Sequence, residues 1–246
     1  EGLKILAEGD SWFAYPRKFI LLGSDANVID HLGGNPDLLI YNTSNNGDEA
    51  AEMISGEQKF SLIKRLTYNA FDYMLFSGGG NDLVGRYDFD FVLRPRQDGM
   101  SRQDCIIEPR LELKLQQLEY VYRVLCEFVE QHSKNPDISI VTHTYDIAPP
   151  RQTGFELFDL FPLGKSWMHP YLEKNGIPEA EDQKAIVAHM LAGFRDTLRR
   201  VSIDYPILKV VDTQGTLADD QWRNEIHPTS QGFGLIADRI YSEALS

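Results

Sequence analysis

The chain has 246 residues, 42% of them hydrophobic, which is enough to bury a substantial core. Its 24 Lys and Arg against 37 Asp and Glu give a formal charge of -13, the wrong sign for tracking a phosphate backbone or an anionic membrane surface. Nucleic acid is therefore not an expected partner, and the small basic groups Arg94 with Arg96 and Arg199 with Arg200 read as solvated charge. Cys105 and Cys126 are too few for a disulfide framework and lack metal-ligand spacing, so two buried, idle thiols are expected. No apolar run approaches the roughly 18 residues needed to cross a bilayer. The first residue is Glu1, so a leader ahead of it stays open, with a cytoplasmic setting expected slightly over a secreted one.

Short apolar runs alternate with amphipathic stretches. Leu3 to Ala7 reads as the first buried strand and runs into Glu8-Gly9-Asp10-Ser11-Trp12, which places a serine where a strand ends and a helix begins. At such a turn the serine oxygen is exposed, and its own N–H can face a developing oxyanion. The same triplet also fits an ordinary serine N-cap. The second strand, Leu38 to Tyr41, leads to Asn45-Asn46-Gly47-Asp48-Glu49, whose glycine lets backbone approach a ligand. The third, Tyr73 to Phe76, leads to Ser77-Gly78-Gly79-Gly80-Asn81-Asp82. Three glycines cost backbone entropy where an exit turn needs one, and the Asn81 amide can donate to an oxyanion as a backbone N–H does.

Val84 to Ile107 is polar and predicts a loop insertion, either lid or ornament. Leu111 to Gln131 carries Leu111, Leu115, Leu118, Val121, Leu125 and Phe128 at helical spacing. The fourth strand, Ile138 to Thr142, is followed by His143 and Tyr145, placed to line a pocket, and by a second insertion from Ile147 to Glu181. That insertion carries Phe155, Phe158, Phe161, Trp167 and Tyr171, which could form an apolar wall, a stacking platform for a sugar, or the core of a helical insertion. A helix over Ala185 to Val201, a fifth strand over Ile207 to Val211 and a helix after Ser230 complete the pattern. Just before that last helix stands Trp222-Arg223-Asn224-Glu225-Ile226-His227-Pro228, with His227 as candidate general base; it and Ser11 are both expected on exposed turns. The alternation predicts a doubly wound α/β sandwich formed by a single domain over 1-246.

Ser11, Gly47, Asn81 and His227, at the ends of the first, second, third and fifth strands, resemble the four motif blocks of the SGNH (GDSL-like) hydrolase superfamily across nearly the whole chain. The resemblance implies a flavodoxin-like three-layer α/β/α sandwich with a five-stranded parallel sheet. It implies Ser11 as nucleophile, His227 as base and an oxyanion hole of Ser11 N–H, Gly47 N–H and the Asn81 side chain, with no cofactor and no metal. Members of that superfamily usually carry aspartate three residues before the histidine, and here that position is Asn224. An asparagine oxygen can accept from imidazole Nδ1–H and set the tautomer, but it brings no charge to offset an imidazolium. Asn224 ranks first as the third member, Glu225 second and a bare Ser11-His227 dyad third, with Asp219 and Asp220 as further nearby carboxylates. The implied activity is cleavage of a small-molecule or carbohydrate ester. An acyltransferase acting on a sugar hydroxyl and a catalytically silent binding domain are the alternatives, and oligomeric state is open.

Overall fold

The computed structural model describes residues 2–14, 26–85, 87–152, 156–157, 161–162 and 166–246. Each of the five apolar runs forms a strand of one all-parallel sheet: β1 (Leu3–Gly9), β2 (Leu38–Asn42), β3 (Tyr73–Ser77), β4 (Ser139–His143) and β5 (Leu208–Val211). Their order is β2-β1-β3-β4-β5. Central strands covered on both faces need no polar alternation, which is why Ile5, Leu6 and Ala7 of β1 and Met74, Leu75 and Phe76 of β3 are all fully buried. The edge strand β2 instead leaves Leu39 and Tyr41 half exposed.

The helices are α1 (Ser11–Ala14), α2 (Val28–Leu32), α3 (Ala50–Met53), α4 (Gly56–Tyr68), α5 (Gly80–Leu83), α6 (Asp88–Val92), α7 (Glu108–His132), α8 (His169–Lys174), α9 (Ala180–Asp204) and α10 (Ser230–Ile240). The two predicted long helices are each extended by several residues. Pro109 in the first turn of α7 supplies a preset helical φ where no N–H is needed. Helix α2 packs on α10, whereas α4, α7 and α9 pack side by side. Because β-α-β crossovers are right-handed and the strand order reverses after β2, these two groups cover opposite faces, giving the three-layer sandwich. Strand order reverses between β1 and β3, so the crevice at their carboxyl ends is where such a fold places ligands.

Both insertions differ from loops. The first holds α6 and a 3-10 turn at Gln103–Cys105, closed by a bridge between Leu93 and Ile106. Phe89, Val92, Leu93, Cys105 and Ile106 are buried, so it is packed, but its apolar residues form too short a run to show a period. The second contains α8 and a short antiparallel pair, Glu156–Leu157 with Phe161–Pro162. The expectations for Phe155, Phe158 and the Phe161 side chain lie outside the described residues. Tyr171 packs on the core, and Cys105 and Cys126 are both buried and free. No helix among the described residues is long and apolar enough to cross a membrane.

One of the carboxyls buried inside this frame belongs to β1. Glu8 of β1 is 3% exposed and accepts from Thr43 Oγ1 at 2.6 Å, and burial pushes its carboxyl up to about 7. A carboxyl whose folded pKa is raised contributes stability in its protonated form, and that contribution is lost as pH rises from the unfolded value through 7. Glu8→Gln should therefore gain on the parent protein by up to about 3 kcal/mol between acidic and mildly alkaline pH, read from denaturant unfolding at both. A constant difference across that range would contradict the buried titration.

Candidate active site

At the end of β1 the chain turns at Asp10, whose carbonyl accepts the first helical bonds from Phe13 and Ala14, and Ser11 opens α1 with its side chain half buried. Asp10 itself is 2% exposed and fully engaged. Its Oδ1 accepts from Trp12 N–H at 3.0 Å and Ser77 Oγ at 2.9 Å, and its Oδ2 accepts from Tyr145 Oη at 2.6 Å. Burial raises its pKa to about 6 in spite of those donors. The network continues to His143. Tyr145 N–H donates to His143 Nδ1 at 3.2 Å, so the ring proton stands on Nε2 and is donated to Ser77 Oγ at 2.9 Å. Burial lowers His143 to about 3 and keeps it neutral. Tyr145 is the one described non-glycine residue at positive φ, 56°, a conformation held by the donors and acceptors around it.

His227 lies across from this turn with Nε2 2.8 Å from Ser11 Oγ. The expectation of an exposed turn fails for it, since His227 is 3% exposed; burial, with the charge of Arg223 second, lowers its pKa to about 3. The loop carrying it is folded on itself by a Trp222–Pro228 bridge and by Arg223 N–H donating to His227 O at 2.9 Å. It is tied to the serine turn by Trp12 Nε1–H donating to Ile226 O at 3.2 Å.

Asn224 is placed beside the ring, but turned the other way from the expectation. Its Oδ1 accepts from Ile226 N–H at 3.0 Å and His227 N–H at 2.8 Å, so the amide nitrogen faces His227 Nδ1 at 3.4 Å. Rotating the amide would set its NH₂ against two backbone donors. Glu225, the second-ranked candidate, points away from the histidine. Its carboxylate accepts from Ser166 Oγ, Trp167 N–H, Met168 N–H at 3.0 Å and His169 N–H at 3.0 Å, clasping the start of α8. Asp219 pairs with Lys184 at 2.6 Å, and Asp220 is exposed. Glu225→Ala leaves three backbone N–H donors without their acceptor, at about 1–3 kcal/mol for each that stays buried, while Ser166 Oγ keeps Arg151 O. It should lower unfolding stability by several kcal/mol and make the 147–181 segment a preferred site of limited proteolysis. An unchanged melting temperature and digestion pattern would contradict the clasp.

Asn81 and Gly47 come from neighbouring loops stitched together. Asn81 Nδ2 donates to Asp48 O at 3.0 Å, and Asp82 Oδ2 accepts from Ala50 N–H at 2.9 Å. The glycine run before Asn81 has a packing reason. Gly79 has φ 117°, and a Cβ there would stand 2.8 Å from the Phe194 ring; at Gly80 it would meet Tyr145 at 3.0 Å. Ser11 and Asn81 share a narrow cavity of about 30 Å³ with Trp12, Tyr145, Val187 and Leu191. Gly47, exposed at φ 83°, lines an adjoining open cavity of about 400 Å³ with Asn81 and Trp167. Among the described residues no group of His, Cys, Asp and Glu is arranged to hold a metal ion. The Asp10, Ser77 and Glu225 roles were missed from sequence; only Asp10, inside the serine motif, carried any local signal.

No protein-family model matches the chain, and no curated protein matches it by sequence. Solved structures do. The lipase Lip_vut3 from a goat rumen metagenome is 13% identical, with a TM-score of 0.64 over 98% of this chain and 97% of that one. A catalytic mutant of the acetylxylan esterase Axe2 from Geobacillus stearothermophilus is 14% identical, with a TM-score of 0.56 over 99% and 94%. A member of the lipolytic G-D-S-L family from Veillonella parvula is 12% identical, with a TM-score of 0.52 over 99% of each chain. The chain has the SGNH-hydrolase fold.

Proposed function

We propose that the protein is a serine hydrolase that cleaves a carboxylic ester through an acyl-enzyme on Ser11. The observation that carries this reading is the 2.8 Å approach of His227 Nε2 to Ser11 Oγ at the carboxyl edge of β1, where the strand order reverses. His227 takes the Ser11 proton as Oγ bonds to the carbonyl carbon, then delivers it to the departing alcohol oxygen. Water next attacks the acyl-enzyme, its proton passing through His227 back to Ser11 as the acid leaves. Ser11 N–H, Gly47 N–H and the second hydrogen of the Asn81 amide stabilise the oxyanion; the first is held by Asp48 O.

Asn224 makes this chemistry slow. With an amide N–H facing Nδ1, the resting imidazole carries its proton on Nε2, directed at Ser11, whereas a base needs the Nε2 lone pair there. The competent tautomer sets an Nδ1–H against the Asn224 NH₂. That same contact favours the second reading, a catalytically silent binding domain. Incubation with p-nitrophenyl acetate separates the two: turnover that disappears in Ser11→Ala supports the hydrolase, and no turnover by the folded parent supports the silent domain.

Asn81→Ala should lower kcat by about 10²–10³ with little change in KM, since its donor matters most once the carbonyl has become an oxyanion. A rise in KM alone would make Asn81 a substrate-positioning residue.

A further inference from the structure

The two cavities that meet at Asn81 and Trp167 differ in size and chemistry, and both bear on what the site accepts. The one that contains Ser11 is about 30 Å³, room for about two waters or a methyl group. Its walls include Val84, Ala148, Val187, Leu191 and Ile226, and no Lys or Arg is among its described lining residues. Its carboxylates are already engaged: Asp10 as above, and Asp146 by Ile147, Gly215 and Leu217 N–H, each at 2.6 Å. A long chain would have to displace Val187 and Leu191, which are locked in the buried face of α9.

The adjoining cavity is more than ten times larger and polar. Gly47, Glu49, Tyr87, Asp88, Lys114 and Trp167 line it, and Tyr87 is 74% exposed. Lys114 Nζ stands 2.5 Å from Asp88 Oδ1, so an ammonium and a carboxylate lie side by side as donor and acceptor for adjacent hydroxyls. The aromatic faces of Tyr87 and Trp167 suit the C–H face of a pyranose. Trp167 stands at the seam because Glu225 holds its backbone N–H.

Resting on the reading of Ser11 as nucleophile, we propose that the substrate is a short-chain acyl ester, acetyl in size, of a sugar or polyol. The carbonyl sits at the seam between Ser11 and Asn81, the acyl methyl fills the narrow cavity, and the polyhydroxyl alcohol occupies the open one. The site excludes medium-chain acyl groups.

The test compares kcat/KM for p-nitrophenyl acetate and octanoate, and for a monoacetylated methyl glucoside and ethyl acetate. The parent should prefer acetate over octanoate, and Leu191→Ala should shift that ratio toward octanoate by about tenfold or more, as expected for space opened to several methylenes. The acetylated glucoside should be preferred over ethyl acetate, and Tyr87→Ala should reduce that preference by about fivefold or more, the loss of a partly exposed stacking contact. A parent that favours octanoate, or treats the glucoside and ethyl acetate alike, overturns the proposal while leaving the hydrolase intact. Calorimetric titration of Ser11→Ala with the same glucoside reads the site without catalysis. Binding there, with no turnover by the parent, supports the subsites and overturns the hydrolase reading; no binding, with turnover of p-nitrophenyl acetate by the parent, overturns the subsites alone.

Discussion

Ser11→Ala and His227→Gln each reduce ester turnover to the residue left by binding and oxyanion donors, a loss of about 10²–10⁴ for the base and at least as much for the nucleophile. The double variant should be no worse than Ser11→Ala alone, because the two groups act as one proton-transfer unit. Ser11 is half buried on the turn that opens α1, so its truncation costs little stability. His227 is different: at 3% exposure, its replacement by alanine opens a cavity beside Trp12 and Asn224, and glutamine fills most of that volume. Initial rates on p-nitrophenyl acetate, with melting temperatures taken alongside, check this. Turnover in either variant comparable to the parent would remove Ser11 and His227 from the chemistry.

Asn224→Asp is expected to accelerate the enzyme. One carboxylate oxygen keeps the two backbone bonds from Ile226 and His227 N–H, and the other replaces the amide nitrogen now 3.4 Å from Nδ1. The new carboxylate accepts from Nδ1–H, the proton leaves Nε2 free toward Ser11, and the imidazolium has a negative charge at position 224. The reverse exchange in a Ser-His-Asp triad costs about ten-thousand-fold, so a rise in kcat of about 10²-fold or more is expected. The sign of the pH effect follows from the same change. Burial holds His227 near 3 in the parent, and an adjacent carboxylate favours the charged imidazole and raises that value. The acidic limb of the kcat/KM profile therefore moves to higher pH in the variant while its plateau rises. Nitrogen-15 spectra of the labelled His227 ring should show the neutral proton on Nε2 in the parent and on Nδ1 in the variant. A variant with unchanged rate and tautomer would mean that Asn224 does not govern the imidazole.

What the sequence made legible follows from how each part of the molecule is held. Strands β1, β3 and β4 are covered on both faces and so advertise themselves as unbroken apolar runs, which places the serine and Asn81 turns at one sheet edge. The periodicity of α7 and α9 gave the layers. Helix α6 escaped because Asp88–Val92 is barely longer than one turn. The residue type at 224 was visible as a departure, but its direction was not, since it is set by two backbone N–H groups that exist only once the 222–228 loop has closed. Glu225 had to choose between a histidine two residues away and α8 more than fifty residues away, and the helix start offers several donors to the histidine's one. The Asp10, Ser77, Tyr145 and His143 network joins three strand ends, with partners separated by as many as 135 positions, and no local pattern encodes such a contact.

The central claim, that Ser11 is a nucleophile activated by His227, is tested most directly by covalent labelling. The parent, Ser11→Ala and Asn224→Asp are incubated with a fluorophosphonate, and the adduct is located by mass spectrometry of the digested protein. The account predicts a single adduct on Ser11, formed slowly by the parent, faster by Asn224→Asp and not at all by Ser11→Ala. An adduct on another residue, or none on folded parent and Asn224→Asp protein alike, would contradict it.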